Sequence, residues 1–295
     1  MDQTNLLVGR VLKSFCGYFH IKSEVEDIYL AKARGKLDTK NILVGDLVEF
    51  MEISEKEALI ERVFRRNNQF EHPHVANIDQ IFIFFSIKMP DFSSYLLDRF
   101  LILTQTLGVP IKIVISKLDL THEIKAELKA YEKIGFEVFY ISNKSKSGIE
   151  ELKKQFLNKI SLITGPSGVG KSTTLNSIHP GLNLKIGDVS NIKRGMHTTR
   201  YAEMVEIIEN SFVIDTPGFT NISVKILPGE LIDYFGEFAD FRRKCKFSNC
   251  IHVKEIGCGI KQAVENGNIA LSRYDNYLKI YDEIKNNKKW SLYHD

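Results

Sequence analysis

Apolar and polar residues alternate over short stretches in the first part of the chain. Such stretches lie at residues 6–15, 18–21, 28–31 and 47–53, and Gly17, Gly35 and Gly45 stand between them. About five short strands in roughly 65 residues are typical of an OB-type barrel, although an SH3-like barrel gives a similar pattern. We therefore predict an OB-type RNA-binding barrel over residues 1–66.

The pattern changes after residue 66. Apolar runs at 81–87, 111–115, 136–141, 159–164 and 212–214 are separated by longer mixed segments. Runs of this kind are typical of buried strands in an α/β domain. We predict a multidomain α/β protein, in which an α/β nucleotide-binding domain spans 67–224 and a helical, zinc-binding domain spans 225–295.

A glycine-rich run follows the apolar stretch 159–164. In such a loop the backbone N–H groups point at phosphate, a lysine reaches the β- and γ-phosphates, and a hydroxyl ligates Mg²⁺. Here Lys171 and Ser172 have those roles. The predicted phosphate loop comprises Gly165, Pro166, Ser167, Gly168, Val169, Gly170, Lys171, Ser172 and Thr173.

A second motif follows another strand. Asp215 and Gly218 of DTPG come directly after the stretch 212–214. They fit the DxxG pattern of GTPases, in which the carboxylate holds Mg²⁺ through water and the glycine N–H contacts the γ-phosphate. Thr198 and Thr199, which lie between this motif and the phosphate loop, are candidates for the switch hydroxyl, and we favour Thr199.

Guanine recognition requires a carboxylate that accepts hydrogen bonds from N1–H and the 2-amino group. Asp119 is the candidate, at the end of Ser116, Lys117, Leu118 and Asp119, which follow the strand 111–115. Ser116 stands where Asn is usual, so we expect fewer contacts to the phosphate loop and weaker guanine binding. After the next strand, Ser142 and Asn143 are predicted to present a backbone N–H to guanine O6.

The order of these motifs is base, base, phosphate, switch and Mg²⁺, which is the order of a circularly permuted GTPase. Together with segments 75–86, 90–101, RGMHTTR, DTPGF and a C-terminal cysteine cluster, it makes the chain similar to the small-subunit-dependent ribosome GTPase A family over nearly its whole length. The resemblance implies a permuted P-loop GTPase domain, GTP hydrolysis stimulated by the small ribosomal subunit, and a role in late maturation of that subunit.

Phe219 follows DTPG, where many GTPases carry a glutamine that orients water. His197 is the nearby side chain able to orient water or move a proton, and the resemblance implies that it is catalytic; an exposed loop histidine is the alternative. The permutation also joins the segment after Gly218 directly to the C-terminal region. We therefore expect the nucleotide state to be transmitted to that region.

Three cysteines and a histidine lie within fourteen residues, as Cys245, Cys250, His252 and Cys258. Three thiolates and one imidazole complete a closed tetrahedral zinc site, so the zinc is predicted to be structural. With only four cysteines in 295 residues, the sequence does not indicate a framework of disulfide bonds.

The charge and hydropathy of the chain indicate which partners it can bind. The chain carries a net charge of only +3, but residues 241–295 hold eleven Lys and Arg against six Asp and Glu. A basic zinc module suits contact with RNA, here the ribosomal RNA of the small subunit. No apolar run reaches membrane-spanning length and no signal peptide is recognisable, so we expect a cytoplasmic monomer without membrane association.

Two other functions remain open at this stage. A nucleoside monophosphate kinase could use the same phosphate loop, but it has no need for the DTPG and SKLD motifs. A nucleotide-regulated RNA-binding scaffold could carry the barrel and the zinc domain with little hydrolysis. Hydrolysis stimulated by small subunits would distinguish the GTPase from both.

Overall fold

The computed structural model describes residues 6–25, 27–35, 37–70, 73–121, 123–182, 202–215 and 226–286. Five strands form a closed barrel near the start of the chain, because β1 pairs with both β2 and β4, and β3 and β4 both pair with β5. Their bounds are Leu6–Phe15 (β1), Tyr18–Ser23 (β2), Ile28–Ala33 (β3), Leu47–Ser54 (β4) and Glu57–Val63 (β5).

Because buried and exposed residues alternate along the strands, one face of each strand points into the barrel. Val11, Phe19, Ile21 and Phe50 are fully buried in a core of their own. The expected five-stranded barrel is thus confirmed. The fifth strand, β5, lies in a segment where the sequence pattern identified no strand.

The two-stranded ribbon Gln69–Phe70 (β6) and Val75–Ala76 (β7) leads into a second group of strands. In this group the order is β10-β9-β8-β11-β13-β12, and all neighbours are parallel except β12 and β13. The strands are Gln80–Ser86 (β8), Ile111–Ser116 (β9), Glu137–Tyr140 (β10), Ile160–Thr164 (β11), Glu203–Ile208 (β12) and Ser211–Asp215 (β13).

Helices cover both faces of this sheet, which explains why every residue of β8 and β11 is buried. The helices Ser94–Gln105 (α1) and Ala126–Lys133 (α2) contribute to the core on one face. Those on the other face are Ile149–Phe156 (α3) and Lys171–Ile178 (α4). The carboxyl ends of β9, β10, β11 and β13 therefore meet at one edge of the sheet.

The C-terminal region is helical and has its own core. Its helices are Ala239–Arg242 (α5), Gly259–Glu265 (α6) and Leu271–Asn286 (α7). Ile102 of α1 belongs to the same core, so this region packs against the back of α1. Among the described residues, no helix combines the length and the apolar character that crossing a membrane requires.

A seam between β1, β2 and β12 joins the barrel to the second group of strands. Lys13 of β1 pairs with Glu203 of β12, both through the backbone and through a 3.0 Å ion pair. A second ion pair links Lys22 of β2 to Glu206 of β12. Lys22 is 8% exposed, and its ammonium also lies 5.7 Å from the centre of the Phe212 ring.

Candidate nucleotide and metal sites

The predicted phosphate loop connects β11 to α4. Gly165 has φ +133°, and a Cβ at this position would lie 2.1 Å from the carbonyl oxygen of Phe84. Only glycine therefore lets the loop turn this close to β8. Gly170, with φ +95°, precedes the first helical residue, Lys171. The backbone thus has the geometry that the glycine spacing predicts.

Lys171 lies across this loop. Its ammonium donates hydrogen bonds to the carbonyl oxygens of Gly165 and Pro166, each at 2.7 Å. Ser172 is buried and Thr173 half-buried at the start of α4, whereas Ser167 and Gly168 are exposed. The lysine, the free N–H end of α4 and the Ser172 hydroxyl are therefore grouped as phosphate and Mg²⁺ binding requires.

The SKLD segment lies beside the loop. Ser116 ends β9, and its hydroxyl donates a hydrogen bond to the carbonyl oxygen of Val169. Lys117 adopts φ +60°, and its ammonium donates to the carbonyl of Gly168 at 2.7 Å and to that of Met89. Ser116 thus makes one direct contact with the phosphate loop despite its short side chain, and the weaker guanine binding expected from the sequence stays a prediction.

Asp119 and Ser142 are held together. The hydroxyl of Ser142 donates to a carboxylate oxygen of Asp119 at 2.6 Å, and it accepts from the Ser145 backbone N–H at 3.2 Å. Leu118 donates its N–H to the carbonyl of Ile141 at 3.1 Å. Both predicted base-reading segments therefore form one hydrogen-bonded unit, and the Asp119 carboxylate is exposed at its surface.

Asn143 connects this unit to the helix after the phosphate loop. Its side-chain N–H donates to the Thr174 hydroxyl at 2.9 Å, and the Thr174 hydroxyl donates to the carbonyl of Gly170. The sequence assigned Asn143 only a backbone role and gave no role to Thr174. Two buried oxygens, Asn143 Oδ1 and Thr164 Oγ1, have no partner among the described residues. A polar ligand at this edge fits that arrangement.

The switch residues are placed only in part. Asp215 ends β13, at the same edge of the sheet as the phosphate loop. Thr198, Thr199, His197 and Gly218 lie outside the described residues. Their predicted roles therefore stay predictions.

The four predicted metal ligands come together in the C-terminal region. One donor atom from each of Cys245, Cys250, His252 and Cys258 lies within 4.8 Å of all the others. His252 Nδ1 is 3.5 Å from the Cys245 sulfur and 3.4 Å from the Cys258 sulfur. Such separations suit a tetrahedral ion with Zn–S bonds of about 2.3 Å.

Burial and neighbouring groups shift the pKa values of two of the predicted metal ligands, Cys250 and His252. Burial raises the pKa of the Cys250 thiol to about 12, and the Cys258 and Cys245 thiols act in the same direction. Burial also lowers the pKa of His252. A bound divalent ion would stabilise the thiolates and so reverse the effect on the cysteines, and it would bind the neutral imidazole that the lowered pKa of His252 already favours. The donor set therefore fits a metal better than a group of free thiols.

Surrounding groups hold the ligand loop. The Tyr274 hydroxyl donates to the carbonyl of His252 at 2.7 Å, and the Tyr277 hydroxyl donates to that of Ile251 at 3.0 Å. The Gly259 N–H lies 3.3 Å from the Cys245 sulfur, in donating geometry. Both tyrosines belong to α7, so the last long helix orients the predicted metal site.

Two family models match the chain from residue 8 to residue 225, and curated relatives match nearly all of it. The model described as RsgA GTPase matches residues 56–225, and the RsgA N-terminal domain matches residues 8–60. The small ribosomal subunit biogenesis GTPase RsgA of Alkaliphilus metalliredigens is 40% identical over 290 residues, which cover 96% of this chain and 99% of that protein. That of Thermotoga neapolitana is 44% identical over 269 residues, with coverages of 88% and 90%.

Solved structures agree with the sequence relatives. The crystal structure of YjeQ from Thermotoga maritima has a TM-score of 0.78 at 37% identity and covers 96% of this chain and 99% of its own. The structure of YloQ, a circularly permuted GTPase, has a TM-score of 0.76 at 29% identity and covers 97% of both chains. With a closed barrel, a bonded cluster of nucleotide motifs in permuted order and a Cys₃His cluster, the chain belongs to the RsgA GTPase family.

Proposed function

We propose that this protein binds and hydrolyses GTP during maturation of the small ribosomal subunit, and that the subunit stimulates hydrolysis. The observation that carries this proposal is the bonded cluster of Ser116, Lys117, Asp119 and Ser142 beside the phosphate loop. It supports the proposal because Asp119, proposed to read guanine, lies at the same edge of the sheet as Lys171, proposed to bind phosphate. The names of the curated relatives supply the ribosomal context.

Each side chain has a proposed role. Asp119 accepts from guanine, the Ser142–Asn143 backbone faces O6, and the loop with Lys171 holds the phosphates. Ser172 and Asp215 would hold Mg²⁺, which screens phosphate charge and withdraws electrons from the scissile bond. Thr199 and Gly218 would sense the γ-phosphate. His197 would orient the attacking water, since Phe219 has no group to do so.

The appended regions are proposed to contact ribosomal RNA. We assign the barrel to residues 1–66, the GTPase domain to 67–224 and the C-terminal domain to 225–295. The Cys₃His cluster would hold one structural zinc, because four protein ligands leave no open position. Arg242, Arg243, Lys244 and Lys246 surround the first ligand and suit phosphate contact. The protein is proposed to act as a cytoplasmic monomer.

GTP turnover with and without purified small subunits tests this function. We expect slow intrinsic turnover, of about 10⁻² s⁻¹ or less, and a large increase when subunits are added. Lys171→Ala should lose both GTP binding and turnover, whereas Lys129→Ala, which removes an exposed lysine of α2, should change neither.

His197→Ala should retain GTP binding and lose most of the stimulated turnover. Unchanged turnover in this variant would remove His197 from the mechanism. Absence of stimulation by small subunits would overturn the central proposal. Phosphate transfer from ATP to GMP would instead establish a nucleoside monophosphate kinase, and subunit binding without hydrolysis would establish a scaffold.

A further inference from the structure

A polar cavity lies between the barrel and the GTPase domain. Its volume is about 510 Å³, and it is lined by residues of β1, β2, the segment 65–79 and the turns before β11 and β13. We call it the junction cleft. This volume lies within the usual range of small-molecule sites, about 300–1,000 Å³.

The junction cleft is remote from the predicted GTP site. Ile160, which lines the cleft, is the first residue of β11, and the phosphate loop follows the last residue, Thr164. These two residues are separated by four rises of about 3.3 Å, or about 13 Å. The two sites therefore lie at opposite ends of the same strand.

Positive charge predominates in the cleft. Its lining includes four cationic side chains and two acidic ones, Glu24 and Asp79. Asp79 is already engaged, because its carboxylate accepts the Ile160 N–H at 2.7 Å. Two of the cations are also engaged: Lys22 pairs with Glu206, and Arg10 donates to the carbonyl of Gly45 at 2.9 Å.

The other two cations, Arg65 and Lys159, face the cleft from opposite sides of the junction. Arg65 follows the last barrel strand, and Lys159 directly precedes β11 of the GTPase domain. Within the described parts of the chain, neither side chain makes a hydrogen bond or an ion pair. Two uncommitted cations on one cavity are suited to an anion that carries several acceptor oxygens, as phosphate does.

Burial of Arg10, another cation that lines the cleft, also favours binding of an anion. It lowers the pKa of the Arg10 guanidinium, and the Asp79 and Asp46 carboxylates act in the opposite direction. A bound anion would act as those carboxylates do. The charged form of Arg10 would then gain a further stabilising neighbour.

Amide side chains complete the lining. Asn67, Asn158 and Asn210 come from three separate segments, and their side-chain amides make no hydrogen bond among the described residues. An amide offers both donors and an acceptor, which is the combination that reads the edge of a nucleobase. In contrast, the Asn77 side chain is used internally, since it donates to the Gly45 carbonyl at 3.1 Å.

We propose that the junction cleft is a second nucleotide-binding site, in which Arg65 and Lys159 hold a phosphate and the three free amides contact the base. The ligand is a nucleoside phosphate unit, either free or as one residue of single-stranded RNA. This site is independent of GTP hydrolysis at the phosphate loop. Its position joins the barrel to the GTPase domain, so occupancy would stiffen the seam between them.

The test uses the full chain saturated with GDP and Mg²⁺, so that the guanine site is filled. The probes are AMP, ribose 5-phosphate and single-stranded hexaadenylate, titrated by calorimetry. We expect Arg65→Ala/Lys159→Ala to weaken binding of the recognised adenylate by about tenfold or more. Retained GDP binding shows that the variant is folded.

The matched control is Lys129→Ala/Lys133→Ala, which removes the same charge from exposed positions of α2. We expect it to change affinity by less than about twofold, because exposed charges far from the ligand are screened. Asn67→Ala should weaken AMP binding and leave ribose 5-phosphate unchanged. This difference separates base contact from phosphate contact.

The outcomes identify the source of the ligand. Binding of AMP alone means a free nucleotide, binding of hexaadenylate alone means RNA, and binding of both means that the cleft accepts a terminal or free unit. Two results overturn the proposal. One is that neither adenylate binds, and the other is that Arg65→Ala/Lys159→Ala loses no more affinity than the control variant does.

Discussion

Replacement of Arg273 by methionine should loosen α7 from the GTPase domain. Arg273 is 3% exposed and lies between the rings of Phe235 and Tyr131, at 4.4 and 5.2 Å from their centres. Its guanidinium pairs with Asp98 of α1 and, at 2.6 Å, with Glu237. Removal of one partner from a buried ion pair costs about 3–5 kcal/mol, because the other charge stays buried.

The surroundings of Asp98 support this magnitude. Asp98 is fully buried and also accepts hydrogen bonds from the Tyr131 hydroxyl and the Asn276 amide, each at 2.7 Å. Burial raises the pKa of Asp98, and the charge of Arg273 opposes that rise. In the variant this pKa is expected to rise further. Folding then favours the protonated acid, so the stability of the variant falls as pH increases through that raised pKa.

Hydrogen exchange of peptides from α7 measures the effect. A loss of about 3–5 kcal/mol corresponds to exchange faster by about 150- to 5,000-fold. The increase should be smaller at the acidic end of the pH range in which the protein is folded than at its basic end, after correction for the intrinsic rates. Asp98→Asn/Arg273→Met should recover much of the loss, because it leaves no buried carboxylate at position 98. Lys279→Met, an exposed change on the same helix, is the control. Exchange within tenfold of the unmodified protein would refute the reasoning.

Three further predictions concern the candidate sites. Ser116→Ala removes the hydrogen bond to Val169 and should weaken GDP binding by about three- to tenfold in a fluorescence titration, whereas Ser145→Ala should not. Asp119→Asn should weaken GTP binding by about 100-fold or more and allow xanthosine nucleotides to bind, since an amide donates to their 2-oxo group; unchanged GTP affinity would remove Asp119 from base recognition. Cys258→Ser should lower the zinc content measured by atomic absorption and the unfolding temperature of the C-terminal region, and a full zinc complement would contradict the ligand assignment.

Local patterns explain why much of the site is predictable. The strands before the phosphate loop and the SKLD segment have continuous apolar runs, and their carboxyl ends meet because these strands are parallel. Ser116 shows the limit of such reasoning. Its short side chain suggests fewer contacts with the phosphate loop. The loop nevertheless lies close to it, since a Cβ added to Gly170 would be only 3.7 Å from the Ser116 hydroxyl. The loop therefore passes close enough for serine to reach it.

Contacts between distant segments could not be predicted. Asp98 and Arg273 are 175 positions apart, and an arginine at the start of an amphipathic helix usually indicates a solvated face. Lys22 and Glu206 are separated by 184 positions. Periodicity identifies which face of an element is buried but not which element covers it. The interfaces between domains therefore required the structure.

These interfaces attach the two appended domains to different parts of the GTPase domain. The barrel contacts β12, which begins directly after the segment containing Thr199 and pairs with the strand that ends at Asp215. The C-terminal domain is instead held to α1 by a buried ion pair. A shift of the predicted switches therefore has a direct path to the barrel, in addition to the chain connection toward the zinc domain. We expect exchange in β1 and β12 to differ more between the GDP and GTP-analogue states than exchange in α7. A larger difference in α7 would show that the chain connection after Gly218 dominates, as the permuted order alone suggests.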